Sequence, residues 1–231
     1  MIDFLRALQF GDSMFPVGAF SFSNGLEPAI QERVVRDPPT LAEFVRTATR
    51  QSATCDGVAL IAAHRGIRCG DRGRAETADR ALYARKPNEE MRAMTVRMGR
   101  KLADAAARIS GSMNAAGPAL DWWLREITEE TTPGTYPVGL GLVFAELGVA
   151  EPYAFAVHQH GVALMMLSAA LRLMPLHHLD GQAILYAVDE AVADDYRYAS
   201  GLTLADMSAF APQLDVLAAT HVNAYVRMFM N

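Results

Sequence analysis

Imidazole binds metal ions and moves protons near neutral pH, so the six histidines are the first residues to weigh in this chain. His158 and His160 stand two apart, which on a helix turns them about 200° from one another, so they do not hold one ion unaided. His177 and His178 follow an apolar run over residues 161–174 and Pro175, where a turn presents either ring. A metal site built from these, or with His64 and His221, is one reading; histidines buried in a core or capping helices is the other. Cys55 and Cys69 are not spaced as C-x-x-C, and one possible pair says little about disulfides. The acid pairs Glu129-Glu130 and Asp194-Asp195 are adjacent, so on a helix they diverge toward solvent.

Other reactive patterns are excluded outright. A phosphate-cradling G-x-x-x-x-G-K-[ST] loop needs glycine before lysine, and both lysines, Lys86 and Lys101, follow arginine. H-E-x-x-H is absent, and neither Ser21 nor Ser23 has the flanking glycines of G-x-S-x-G. Gly139 and Gly141 lack the third glycine and the preceding strand of a dinucleotide fingerprint. The sequence therefore assigns no catalytic residue, no cofactor site and no metal ligand set. A chain of this kind acts through its surface.

The positioning elements are helices, because apolar residues recur at steps of three and four and strand-like alternation is nearly missing. Helices are expected over residues 3–12, 26–35, 40–53, 57–67, 74–85, 118–128, 138–147, 152–173, 181–198 and 213–230, with a short one over 204–210. Thr40 reads as an N-cap with Glu43 completing a capping box. Asn88 caps a further helix with Glu89 and Glu90 in its first turn, and along it Met91, Met94, Met98, Leu102, Ala105 and Ile109 form one apolar stripe. The segment 152–173 is apolar nearly all round, which places it at the centre of the bundle. With no repeat and no linker, residues 1–231 read as one all-α domain, a helical bundle of about ten helices.

Composition narrows the partners. Hydrophobic residues make up 51% and charged residues 20%, enough to bury a core, and the net charge of −5 offers no basic face for nucleic acid. Run 161–174 falls short of the roughly 20 residues a bilayer needs, and no signal peptide opens the chain, so no membrane role is expected and the location expected is cytoplasmic.

One passage carries a positive signal. From Ser13 to Glu27 the chain mixes Phe15, Phe20 and Phe22 with Pro16, Gly18, Ser21, Ser23 and Gly25, and no charge appears before Glu27. An ordinary buried connection between helices fits this; so does a protein-contact loop with aromatic anchors and one acid.

This segment resembles the N-terminal signature of the UreF family of urease accessory proteins, a proline-x-glycine turn leading into serine-aromatic-serine-x-glycine-leucine-glutamate: Pro16, Gly18, Phe20, Ser21, Phe22, Ser23, Gly25, Leu26 and Glu27. Downstream, Glu90, Arg92, Arg97, Gly99 and Leu102 resemble the family's central helix. Arg172, Pro175, Leu176, Gly181 and Gln182 resemble its C-terminal signature. The chain departs from the pattern at His177-His178, where Gly-Gln is usual, and at Phe22, where tyrosine or histidine is common. The resemblance implies an all-helical homodimer that bridges UreD (also called UreH) and the GTPase UreG, and that assists nickel insertion into apo-urease without catalysis of its own. Partner-binding residues expected on this basis are Phe15, Pro16, Gly18, Phe20, Ser21, Phe22, Gly25, Glu27, Arg172, Pro175 and Gln182, with Glu27 facing the GTPase. The rival expectations are a helical enzyme or metal-binding protein using His158, His177 and His178, and a dimeric helical regulator with a ligand-binding core.

Overall fold

Asp37 fixes where the longest helical stretch begins. Its carboxylate accepts the Thr40 N–H at 2.9 Å while the Thr40 hydroxyl accepts the Asp37 N–H at 3.2 Å. Pro38 and Pro39 occupy the first turn, where no N–H is needed. The cap thus lies three residues before the expected Thr40, because the two prolines open this helix rather than close the one before it. In the computed structural model, which describes residues 1–112, 117–209, 211, 216, 217, 228 and 229, helical structure then continues to residue 69.

That stretch consists of α3 (Pro38–Ser52), one wide π turn (Ala53–Gly57) and α4 (Val58–Cys69), where two separate helices were expected. A π turn disturbs the regular i to i−4 bonding, and a side chain from across the bundle supplies partners. The Gln159 amide, oriented to suit both groups, donates to the Thr49 carbonyl at 3.0 Å and accepts the Ala53 N–H at 3.3 Å.

Before this stretch lie α1 (Ile2–Gly11) and the short α2 (Leu26–Gln31), which ends earlier than expected, with Arg33 in the left-handed region at φ 58°. After it come α5 (Arg72–Arg85) and α6 (Glu89–Ser112), the latter capped as expected by Asn88, whose side-chain oxygen accepts the Met91 N–H at 2.8 Å. On α6, Met94, Met98 and Leu102 of the stripe are buried, each contributing on the order of 2 kcal/mol of transfer free energy. Then follow α7 (Pro118–Thr128), α8 (Tyr136–Glu146) and α9 (Glu151–Leu173). The helix expected over 181–198 is two, α10 (His178–Asp189) and α11 (Val192–Ala199), and a 3₁₀ turn at Leu204–Asp206 replaces the short one expected over 204–210. The helix expected over 213–230 lies outside the described residues save for 216, 217, 228 and 229. No strand occurs among the described residues, and the protein is all-α.

Helix α9 is the hub. It packs on α1, α2, α3, α4, α8, α10 and α11. Although long and apolar enough to cross a bilayer, it has 56% of its most apolar window buried against these neighbours. The core has two hydrophobic clusters. One gathers α1, α4 to α8, the π turn and the start of α9; the other gathers α2, α3, α10 and the second half of α9. Segment 13–27 lies where they meet, with Phe15, Val17 and Phe22 in the first and Leu26 in the second.

Candidate functional site

The residues singled out in segment 13–27 divide by burial. Phe15 packs its ring on Phe10 at 4.8 Å between centroids, and Phe10 meets Phe144 edge-on at 6.4 Å. Phe22 and Gly25 are buried as well. Gly18 and Gly25 both adopt left-handed φ angles, 82° and 81°, which other residues reach only with strain, and this is why the two turns carry glycine. Pro16 and Phe20 face solvent, Phe20 with 69% of its surface exposed, and Ser21 and Gly18 are half-buried.

Glu27 requires a correction. Expected as an outward contact for a basic partner, it is only 3% exposed. Its carboxylate accepts the backbone N–H groups of Met228 at 2.7 Å and Phe229 at 3.0 Å, and its own N–H donates to Ser23 Oγ at 3.3 Å. A lone acid at a helix start does seek charge-assisted donors; these come from the far end of the same chain.

Arg172 joins the two sequence signatures. Its guanidinium donates to the Phe20 carbonyl at 2.9 Å and lies 4.3 Å from the centre of the Phe229 ring. Pro175 and Gln182 are exposed, on the turn after α9 and on α10 respectively. The structure therefore brings Phe20, Glu27 and Arg172 around residues 228 and 229. Phe20 and Arg172, joined by their hydrogen bond, are exposed, and so are Met14 and Pro16 of the same segment. Sequence reasoning did not single out Met14, which is 88% exposed, or Phe229; the run of apolar residues around Met14 was the available signal.

The histidine constellation is not assembled. His158 is 3% exposed inside α9, its ring centre 6.3 Å from that of Tyr136, and burial pushes its pKa down to about 4, so it is neutral at physiological pH. His177 and His178 are exposed at the start of α10, where His177 Nδ1 accepts the Leu179 N–H at 3.2 Å as a cap. His160 Nδ1 contacts Asp189 at 2.8 Å, and His64 Nε2 contacts the Val149 carbonyl at 2.8 Å. Among the described residues no three His, Cys, Asp or Glu side chains come close enough to hold a metal ion. An enzyme or metal site made from His158, His177 and His178 is overturned because a buried ring on one helix and two solvated rings on the next do not share a centre.

Known sequences resemble this chain over nearly its whole length. Residues 35–189 match the family described as UreF. The chain is 50% identical over 228 residues to a protein of Brucella canis named urease accessory protein UreF 2, covering 98% of this chain and 91% of that one. It is likewise 50% identical to urease accessory protein UreF 1 of Brucella melitensis, over 98% of this chain and 92% of that one. Urease accessory protein UreF of Yersinia enterocolitica is 46% identical over 229 residues, covering 99% of this chain and 98% of that one.

Proposed function

The chain belongs to the UreF family of urease accessory proteins, and on that basis we propose that it is a scaffold for urease maturation which binds UreD (UreH) and the GTPase UreG and assists nickel insertion into apo-urease. It does so in the cytoplasm, as a homodimer, and as one helical domain over residues 1–231. The single-domain reading draws on α9 and the α3–α4 stretch, both of which run through the two core clusters.

One observation carries the partner-binding reading: the two segments with signature character, far apart in sequence, meet at the Arg172–Phe20 hydrogen bond and leave one exposed apolar patch with a cation beside it. Phe15, Phe22, Gly25 and Glu27 hold that patch in shape from beneath. Pro16, Phe20, Arg172, Pro175 and Gln182 are the residues free to meet another protein's surface, with Gly18 and Ser21 at the margin. An exposed aromatic beside an arginine is the composition that anchors protein interfaces.

Replacing Phe20 with aspartate tests this. The side chain is mostly in water, so the fold is expected to keep its stability to within about 0.5 kcal/mol. Capture of UreD or of UreG by the purified variant is expected to fall sharply. Retention of both partners at wild-type levels would remove the proposal.

A further inference from the structure

Between α1, the π turn, α6, α8 and α9 lies a cavity of about 150 Å³. Its walls are mostly apolar, and four methionines line it: Met91, Met94 and Met98 from α6 and Met165 from α9. Thioether side chains adapt their shape to what they enclose, more so than branched aliphatic ones. An apolar cavity of about this volume accommodates a benzene-sized molecule.

The polar groups in the lining select among such molecules. Lys86 donates to both carboxylate oxygens of Asp56, at 2.6 and 2.8 Å, with both side chains largely shielded from solvent. The pair cancels its own charge within the wall. Near the rim, Arg85 donates to the carbonyls of Ala81, Leu204 and Met207, and an Asp12 carboxylate oxygen accepts the Met14 N–H. Arg85 and Asp12 keep their charges, so it is a guest held against the methionines, beside the neutralised Lys86–Asp56 pair, whose own charge would lose its hydration without a counter-charge, which is costly. Two buried polar atoms in the lining residues, His158 Nδ1 and Ser52 Oγ, have no hydrogen-bond partner among the described residues. Buried polar groups left in this state are exceptional, and a hydroxyl, which both donates and accepts, suits either one.

We propose that this cavity is a binding site for a small neutral molecule, a ring of benzene size carrying one hydroxyl group, with the methionines enclosing the ring and His158 and Ser52 taking the hydroxyl. Phe20 of the partner-binding patch also lines this cavity, so the proposal is tested on the free chain, with neither UreD nor UreG present, and its outcome does not depend on partner capture.

Phenol is the probe, read by methyl resonances of the full chain labelled at methionine. Phenol at about millimolar concentration, the range open to so small a ligand, is expected to shift Met91, Met94, Met98 and Met165 and leave Met14 and Met207 in place. Benzoate and benzylammonium, the charged analogues, are expected to bind at least about tenfold more weakly, because each carries an unpaired charge inside. Replacing His158 with leucine is expected to leave toluene binding intact, which reports on the fold, and to weaken phenol about tenfold, the value of one hydrogen bond. His158→Gln, which keeps a hydrogen-bonding head, restores the preference. No shift at the four methionines, shifts spread over surface methionines, equal binding of the charged analogues, or an unchanged phenol preference in His158→Leu would each overturn the proposal.

Discussion

Replacing Glu27 with glutamine isolates what the buried carboxylate does. The change keeps the shape of the side chain but removes its charge and turns one of its two acceptor oxygens into an N–H₂ donor. In the native protein both oxygens are occupied, by the Met228 N–H at 2.7 Å and the Phe229 N–H at 3.0 Å. A hydrogen bond to a charged group contributes about 1.5–3 kcal/mol net, so losing one and weakening the other costs about 2 kcal/mol. If that loss falls on the local opening of residues 228 and 229, their opening equilibrium rises about 30-fold, since each 1.4 kcal/mol is tenfold. Amide hydrogen exchange reads this directly: Met228 and Phe229 are expected to exchange about 30-fold faster in Glu27→Gln, while amides in α8 keep wild-type protection. Arg172 over the Phe229 ring is not expected to hold the segment alone, because its side chain is exposed. Unchanged exchange at 228 and 229 would refute the assignment of Glu27 as their anchor.

Gly57→Ala tests the close approach of α9 to the π turn. Alanine in a helix ordinarily gains about 1 kcal/mol over glycine, but a Cβ here would sit 2.4 Å from the Phe155 ring. Overpacking of about 1–3 kcal/mol is expected to win, so a denaturant melt should show net destabilisation. His158 gives a pH signature. Its pKa in the folded protein is depressed from 6.5 to about 4 by burial, so the unfolded chain binds the proton first. Stability is full above pH 6.5 and declines as the pH falls from there to about 4, by about 3 kcal/mol in all. The difference in stability between His158→Leu and the wild type, measured by chemical denaturation across that range, should shift toward the variant by this amount on acidification. A constant difference would contradict the burial argument.

How much of this was legible in the sequence depends on how far apart the cooperating residues lie. Asn88 announced α6 because a cap and an apolar stripe are local features, and the structure keeps both. Helical class and the central place of α9 followed from periodicity and from a segment apolar on every side. Asp37 was overlooked because Pro38-Pro39 reads equally well as the end of one helix or the first turn of the next; only the chain's direction afterwards decides. The π turn at Ala53–Gly57 left no local mark, because it is accommodated by Gln159, over a hundred residues away. Nor does any glycine or proline mark the break between α10 and α11. Glu27 is the clearest case: nothing near it in sequence shows that its donors lie about two hundred residues on. For the same reason the histidine grouping looked denser in sequence than it is in space, where His158 points into the bundle and His177 and His178 point out of it.

Hydrogen exchange of the free chain against the chain with UreD and UreG bears most directly on the idea that this protein works through the patch joined by Arg172 and Phe20. With the partners at about 100 times their dissociation constants, exchange-competent opening at a covered site is slowed by up to about 100-fold. Protection is expected to rise over residues 14–21 and 172–182. Protection confined to other surfaces, or exchange unchanged throughout in the presence of both proteins, would contradict it.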